Sequence, residues 1–92
     1  MMNRIETNQI YNEVIDKIYT GGENRAIFMI SPSEELYIEV IADENGDELY
    51  THVYITNVFG IETFSKKVPY GDVTEVIGVI EDALISTAQV AA

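Results

Sequence analysis

The sequence predicts a two-layer α+β domain, with an antiparallel sheet of three to four strands flanked by N- and C-terminal helices in the order α-β-β-β-(β)-α. Three observations carry this. Apolar residues recur at helical spacing near both ends and alternate in the middle. An Asn-Gly pair divides the two clearest alternating runs. No repeat, low-complexity tract or linker interrupts the 92 residues, so 1–92 reads as one domain.

The first helix is expected over residues 4–19. Ile10, Val14 and Ile18 recur every fourth position, with Tyr11 and Ile15 widening the stripe. Asn3 and Glu6 have capping-box spacing, and Gly21-Gly22 supplies the positive φ that helix ends favour. Residues 25–31 form a short apolar strand that Ser31-Pro32-Ser33 breaks.

Residues 35–43 and 48–58 make the hairpin. With Asn45 and Gly46 as its two loop residues, Ala42 faces Leu49, Val40 faces Thr51, Ile38 faces Val53 and Leu36 faces Ile55. The opposite face then pairs Asp43 with Glu48, Ile41 with Tyr50, Glu39 with His52 and Tyr37 with Tyr54. One face is apolar and the other mixed, as the two-residue period of a half-buried sheet requires.

Gly60 marks a bulge or bend, and 61–68 add a fourth, edge strand that Lys66 and Lys67 guard against pairing. Pro69-Tyr70-Gly71 is a turn. The last helix runs from about 72 to 88, with Asp72 and Glu75 as capping box. Its inner stripe is Val73, Val76, Ile77, Ile80, Leu84 and Thr87.

Charge is the outlying feature. Sixteen Asp and Glu against five Lys and Arg give −11, beyond the magnitude of about 2–8 that keeps a small domain soluble. Excess like charge also destabilises the compact state. Direct binding to nucleic acid or an anionic membrane needs a basic face, so neither is expected. The absence of cysteine removes disulfides, thiolate metal sites and cysteine nucleophiles and suits a reducing cytoplasm. No apolar run approaches the roughly 18 residues of a membrane span. Met1 to Glu6 lacks the basic-then-apolar order of a signal peptide.

No set of residues carries chemistry, so neither catalytic residue, cofactor nor metal is expected. His52 is the only histidine, and no nucleophile stands near it by any known signature. Its ladder neighbour Glu39 can form an acid–base dyad with it, but such pairs are more often cross-strand charge pairs. The run Asp43 to Glu48 is rich in oxygen ligands, yet its glycine falls at the fourth position rather than the sixth that an EF-hand loop needs. A tight hairpin turn explains it better. No phosphate-binding glycine motif occurs.

Two surfaces remain as partner-binding candidates. The first is acidic: Asp43, Glu44, Asp47 and Glu48 at the hairpin tip, then Glu34 and Glu35. The second is the outer sheet face, where Tyr37, Tyr50, Tyr54, Ile41 and His52 gather within a rim of Glu39, Asp43 and Glu48. Tyrosine suits interfaces because a large apolar ring ends in a polar hydroxyl, although it is also simply a good strand former. A homodimer through this face is one expectation.

In size, acidity and lack of catalytic residues the chain resembles the small inhibitors of phages and mobile elements, such as anti-CRISPR and anti-restriction proteins. The resemblance is one of overall character; no motif carries it and no residue role transfers. It implies a DNA mimic acting in the host cytoplasm on a basic nucleic-acid-binding protein. Immunity proteins against nuclease toxins share the same physics. An acidic dimeric adaptor, similar to type III secretion chaperones in charge and element order, is the alternative.

Overall fold

The alternation around Asn45-Gly46 governs the sheet. The computed structural model describes the backbone of residues 4–91 and the side chains of residues 8–86. Four strands follow one another: β1 (Arg25–Ser31), β2 (Glu34–Ala42), β3 (Leu49–Asn57) and β4 (Glu62–Pro69). They form an antiparallel meander in the order β1-β2-β3-β4. In the β2–β3 ladder Ala42 pairs with Leu49, Ile38 with Val53, Leu36 with Ile55 and Tyr37 with Tyr54. This is the register that the apolar pattern predicts.

The turn itself differs from the sequence expectation. A two-residue loop of this kind needs positive φ at both Asn45 and Gly46. Among the described residues, only glycines have positive φ, and Gly46 is at 75°. The Gly46 N–H donates to the Asp43 carbonyl at 3.0 Å, and the Asp43 N–H donates to the Glu48 carbonyl at 2.9 Å. The loop is therefore four residues, 44–47, with Glu44 and Asn45 at its corners and Gly46 in the left-handed region. The register survives because two residues are added symmetrically, one on each side.

The N-terminal helix, α1, covers Arg4–Val14 and continues as a π-helical segment, Ile15–Thr20. The expected Asn3–Glu6 capping box lies outside the described residues. The wider π turn ends on two glycines with separate duties. Gly22 takes φ 74°, and the N–H of Glu23 reaches back to the Lys17 carbonyl at 2.9 Å. At Gly21 a Cβ would stand 2.7 Å from the Asp16 carbonyl oxygen and 2.8 Å from that of Lys17, closer than real contacts allow. Gly60 does the third such job at φ 76°. It closes the β3–β4 turn by donating to the Asn57 carbonyl at 2.9 Å.

The C-terminal helix, α2 (Val73–Ala91), begins as the Asp72 carbonyl accepts the Val76 N–H. It packs on β3 and β4, while α1 and its π segment lie against β1 and α1 touches α2. The two helices thus cover one sheet face. Ile10, Val14 and Ile18 meet Leu36, Ile38, Val53, Ile55 and Val68 in a buried core. From α2 come Val76, Val79, Ile80, Ala83 and Leu84. The expected inner stripe omits Val79 and Ala83, while Val73 and Ile77 are only half-buried. The buried stripe of the helix is therefore centred nearer Val79 and Ala83 than the sequence pattern predicts. Thr87 lies outside the residues whose side chains are described.

Among the described residues one polar side chain sits in this core. Thr51 is fully buried and shares a hydrogen bond with the Tyr19 hydroxyl at 2.7 Å. Tyr19 stacks on Tyr70 at 4.9 Å, and Tyr11 donates to the Ile77 carbonyl. Three tyrosines thus join helices, sheet and final turn on the covered side. No buried side-chain nitrogen or oxygen among the described residues lacks a partner. Among the described residues no helix is long and apolar enough to cross a membrane.

Candidate functional site

Side chains on the sheet face away from the helices fall into cross-strand rows set by the ladders. Ile27, Tyr37, Tyr54 and Ser65 form one row, and Arg25, Glu39, His52 and Lys67 the next. Beyond these come Ile41, Tyr50 and Pro69. All three tyrosines expected there are present and half-buried, although no element among the described residues covers them.

Tyr37 and Tyr54 stack with ring centroids 4.9 Å apart and planes 4° from parallel. His52 lies over Tyr54 on its other side, at 4.5 Å. Each phenol donates to a neighbouring carboxylate: Tyr54 to Glu39, Tyr50 to Glu48 at 2.9 Å and Tyr37 to Glu35 at 3.4 Å. Burial, then the Glu39 bond and charge, push the Tyr54 hydroxyl far above its ordinary value. The Glu48 bond raises Tyr50 as well.

Glu39 and His52 are ladder partners, as expected, but they do not form the charge pair read from the sequence. Glu39 is held by Tyr54 and by Arg25, whose guanidinium is 3.8 Å away. His52 instead shares a hydrogen bond with Ser65 through Nε2 at 2.8 Å. Burial lowers its pKa, with Lys67 acting in the same direction against the carboxylates of Glu62 and Glu39. The ring is therefore neutral at neutral pH. It stands on β3 between β2 and β4, and Ser65 competes successfully because a neutral imidazole wants a hydroxyl as much as a carboxylate.

The acidic tip is a built structure. The Asp43 carboxylate accepts the Asp47 N–H at 2.8 Å, and its carbonyl accepts that of Gly46. Glu48 is held by Tyr50. Glu44, Asp47 and Glu48 are exposed, and Asp43 is half-buried under the loop that it braces. Three exposed carboxylates thus stand at one braced end of the sheet, with that of Asp43 folded beneath them.

Glu34 and Glu35 do not join them. They open β2, and Glu35, eight residues before Asp43, lies about 26 Å from the tip at roughly 3.3 Å per residue. There Glu34 accepts from the Ser31 hydroxyl at 3.3 Å. The sequence grouping splits into two ends of one strand, with Glu39 midway on the same face. Glu35, Glu39 and Asp43 recur every fourth residue along β2, about 13 Å apart. Among the described residues no three His, Asp or Glu side chains converge as a metal site would require.

Two features escape the sequence reading. A groove of about 430 Å³ runs between α1, at Gln9, Ile10 and Glu13, and the edge strand β1, at Ile27 to Ile30. At the end of the sheet opposite the acidic tip, the β3–β4 turn presents Val58, Phe59 and Ile61 to solvent, Phe59 at 82%. That turn is braced by the Asn57 side chain, which accepts the N–H groups of Phe59 and Ile61. The signal for the groove was in RAIFMIS, an edge strand whose only charge is its first residue.

No protein-family model matches this chain, and neither curated proteins nor solved structures yield a match to it.

Proposed function

We propose that this is a non-enzymatic acidic binding protein, an inhibitor that occupies the nucleic-acid site of a basic nucleic-acid-handling protein in the cytoplasm. The reading is that of an anti-CRISPR or anti-restriction type DNA mimic. One observation supports it above the rest: Asp43, Glu44, Asp47 and Glu48 stand together on a loop whose backbone is fixed by hydrogen bonds. A duplex presents one charge per roughly 1.7 Å of axis, and a basic cleft is shaped to receive that density on a stiff body. Carboxylates on a braced hairpin keep their spacing, where those on a loose acidic tail would lose entropy on docking. The field of an −11 chain steers it toward such a cleft.

The test is competition. Labelled duplex bound to a basic target should be displaced by this protein, and the variant Asp43→Lys/Glu44→Lys/Asp47→Lys/Glu48→Lys should fail to displace it. Simultaneous binding of duplex and protein would contradict the reading. An immunity protein against a nuclease toxin would use the same tip in the same way.

A second reading has its own support. The stacked Tyr37–Tyr54 pair lies on a sheet face that no element among the described residues covers. A partner or a second copy seated there would make this an acidic adaptor. Replacing Tyr50 and Tyr54 with serine would then weaken association without unfolding the chain, as sedimentation and circular dichroism would show.

A further inference from the structure

We propose that the free edge of β1 is a separate docking surface that accepts an extended basic segment of a partner protein as a fifth strand. The argument starts from the phase of the ladder. The Asn24 carbonyl accepts the Val40 N–H at 2.8 Å. In an antiparallel pair, hydrogen-bonded and non-bonded positions alternate. Ala26 and Phe28 therefore turn their main-chain groups toward β2, while Arg25, Ile27 and Met29 turn theirs away from the sheet. Among the described residues β1 has a strand neighbour on one side only. The edge thus offers three residues' donors and acceptors in a row.

The two edges of the sheet are treated differently. The Tyr70 N–H donates to the Leu49 carbonyl, so by the same alternation the outward residues of β4 are Ser65, Lys67 and Pro69. Proline has no N–H to offer and lysine guards the strand, two of the devices that block edge pairing. β1 has neither within its length. Its outward positions are Arg25, whose charge is engaged by Glu39 on β2, Ile27, 46% exposed, and Met29, 75% exposed.

The surroundings fit an added strand. The groove between α1 and β1 lies beside this edge. Side chains of an incoming strand would alternate, one set entering the groove against Ile10, Phe28 and Ile30, the other extending the outer face beside Ile27 and Met29. Glu13 and Gln9 form the helix wall of the groove. Glu13 there asks for a Lys or Arg. The whole-chain charge points the same way, because a second copy would bring together two chains of −11 each, whereas a basic segment is attracted. This inference rests on the edge and groove and does not depend on the acidic tip.

The probe is a library of random heptapeptides displayed on phage and selected on the intact protein, matching the seven residues of β1. The selected sequences should alternate apolar residues with Lys or Arg. A synthetic copy of the leading peptide, added to isotope-labelled protein, should slow exchange of the Ile27 and Met29 amide protons about tenfold or more. The Ala26 and Phe28 amides, already bonded to β2, should hardly change. N-methylation of the peptide at alternate residues should abolish binding in one phase and spare it in the other, because only one set of N–H groups faces β1. Glu13→Gln should weaken binding, and reversing the charges at Asp43, Glu44, Asp47 and Glu48 should leave the amide protection in place. The proposal is overturned if no sequence is enriched, if methylation in either phase is tolerated, or if the peptide contacts only the acidic tip. It is equally overturned if Ile27 and Met29 are already protected in the free protein in proportion to its concentration, since a second copy would then be the occupant.

Discussion

At the residue scale, the tyrosines divide by face and by duty. Tyr11, Tyr19 and Tyr70 tie the covered layer together, while Tyr37 and Tyr54 stack on the other face and, with Tyr50, have hydroxyls satisfied by carboxylates of the same chain. A phenol bonded to a carboxylate resists ionising. Burial, and then the charge of Glu81, push Tyr11 up to about 12. Since the unfolded value is near 10, the unfolded chain loses this proton first. The stability that Tyr11 contributes is therefore complete below about pH 10 and lost as pH rises toward 12. Tyr11→Phe should reduce the alkaline loss of stability, measured by urea unfolding across that range; an unchanged slope would refute the assignment. His52 works at the acid end. Its folded pKa is depressed below the unfolded 6.5, so the unfolded chain takes up the proton first as pH falls. Its contribution is intact above about pH 6.5 and declines below it. His52→Gln should flatten this part of the pH profile relative to the wild type, with carboxylate effects common to both.

At the scale of elements, the sheet was legible in the sequence because a two-residue period and a turn fix register together. A one-residue slip would have put Leu36, Ile38, Val53 and Ile55 in solvent. The loop between the strands was less legible, because two- and four-residue loops centred on Asn45-Gly46 give the same register. Substitution separates them. Within this loop only Gly46 has positive φ, so Gly46→Ala should cost about 1–2 kcal/mol, while Asn45→Ala should change stability by less than about 0.5 kcal/mol. Equal costs at both positions would restore the two-residue loop. The π segment was hidden for a different reason. Ile10, Val14 and Ile18 keep fourfold spacing whether the turns are α or π, so apolar periodicity cannot report the change. Its signature is Gly21, where a methyl group would strike two main-chain oxygens. Gly21→Ala should destabilise by about 1–3 kcal/mol in denaturant titration, even though its φ of −83° suits alanine.

The candidate site was partly legible for the same physical reasons. The tyrosine face follows from register, so Tyr37, Tyr50, Tyr54 and His52 lie where alternation puts them. Side-chain partners do not follow from register, because Glu39 had Arg25, His52 and Tyr54 all within reach and took two of them. Nor does proximity of charge along the chain imply proximity in space. Glu34 and Glu35 stand at the far end of β2 because a strand is the most extended path between two points.

At the scale of the molecule, the chain is 40 Å long in its greatest extent, with four carboxylates at one end of its sheet and an apolar turn at the other. The net charge of −11 exceeds what solubility needs, and electrostatic docking through it should be fast and salt-sensitive. Screening shortens from about 8 Å at 0.15 M salt to about 3 Å at 1 M, so affinity through the tip should fall steeply, while contact through the stacked tyrosines should persist. The most direct measurement is therefore displacement of labelled duplex from a basic nucleic-acid-binding target captured by this protein at low salt. The account predicts that the protein and the duplex exclude one another, that exclusion fades as salt rises, and that reversing Asp43, Glu44, Asp47 and Glu48 abolishes it. A ternary complex of target, duplex and protein, or a tip-reversed variant that competes as well as the wild type, would contradict it.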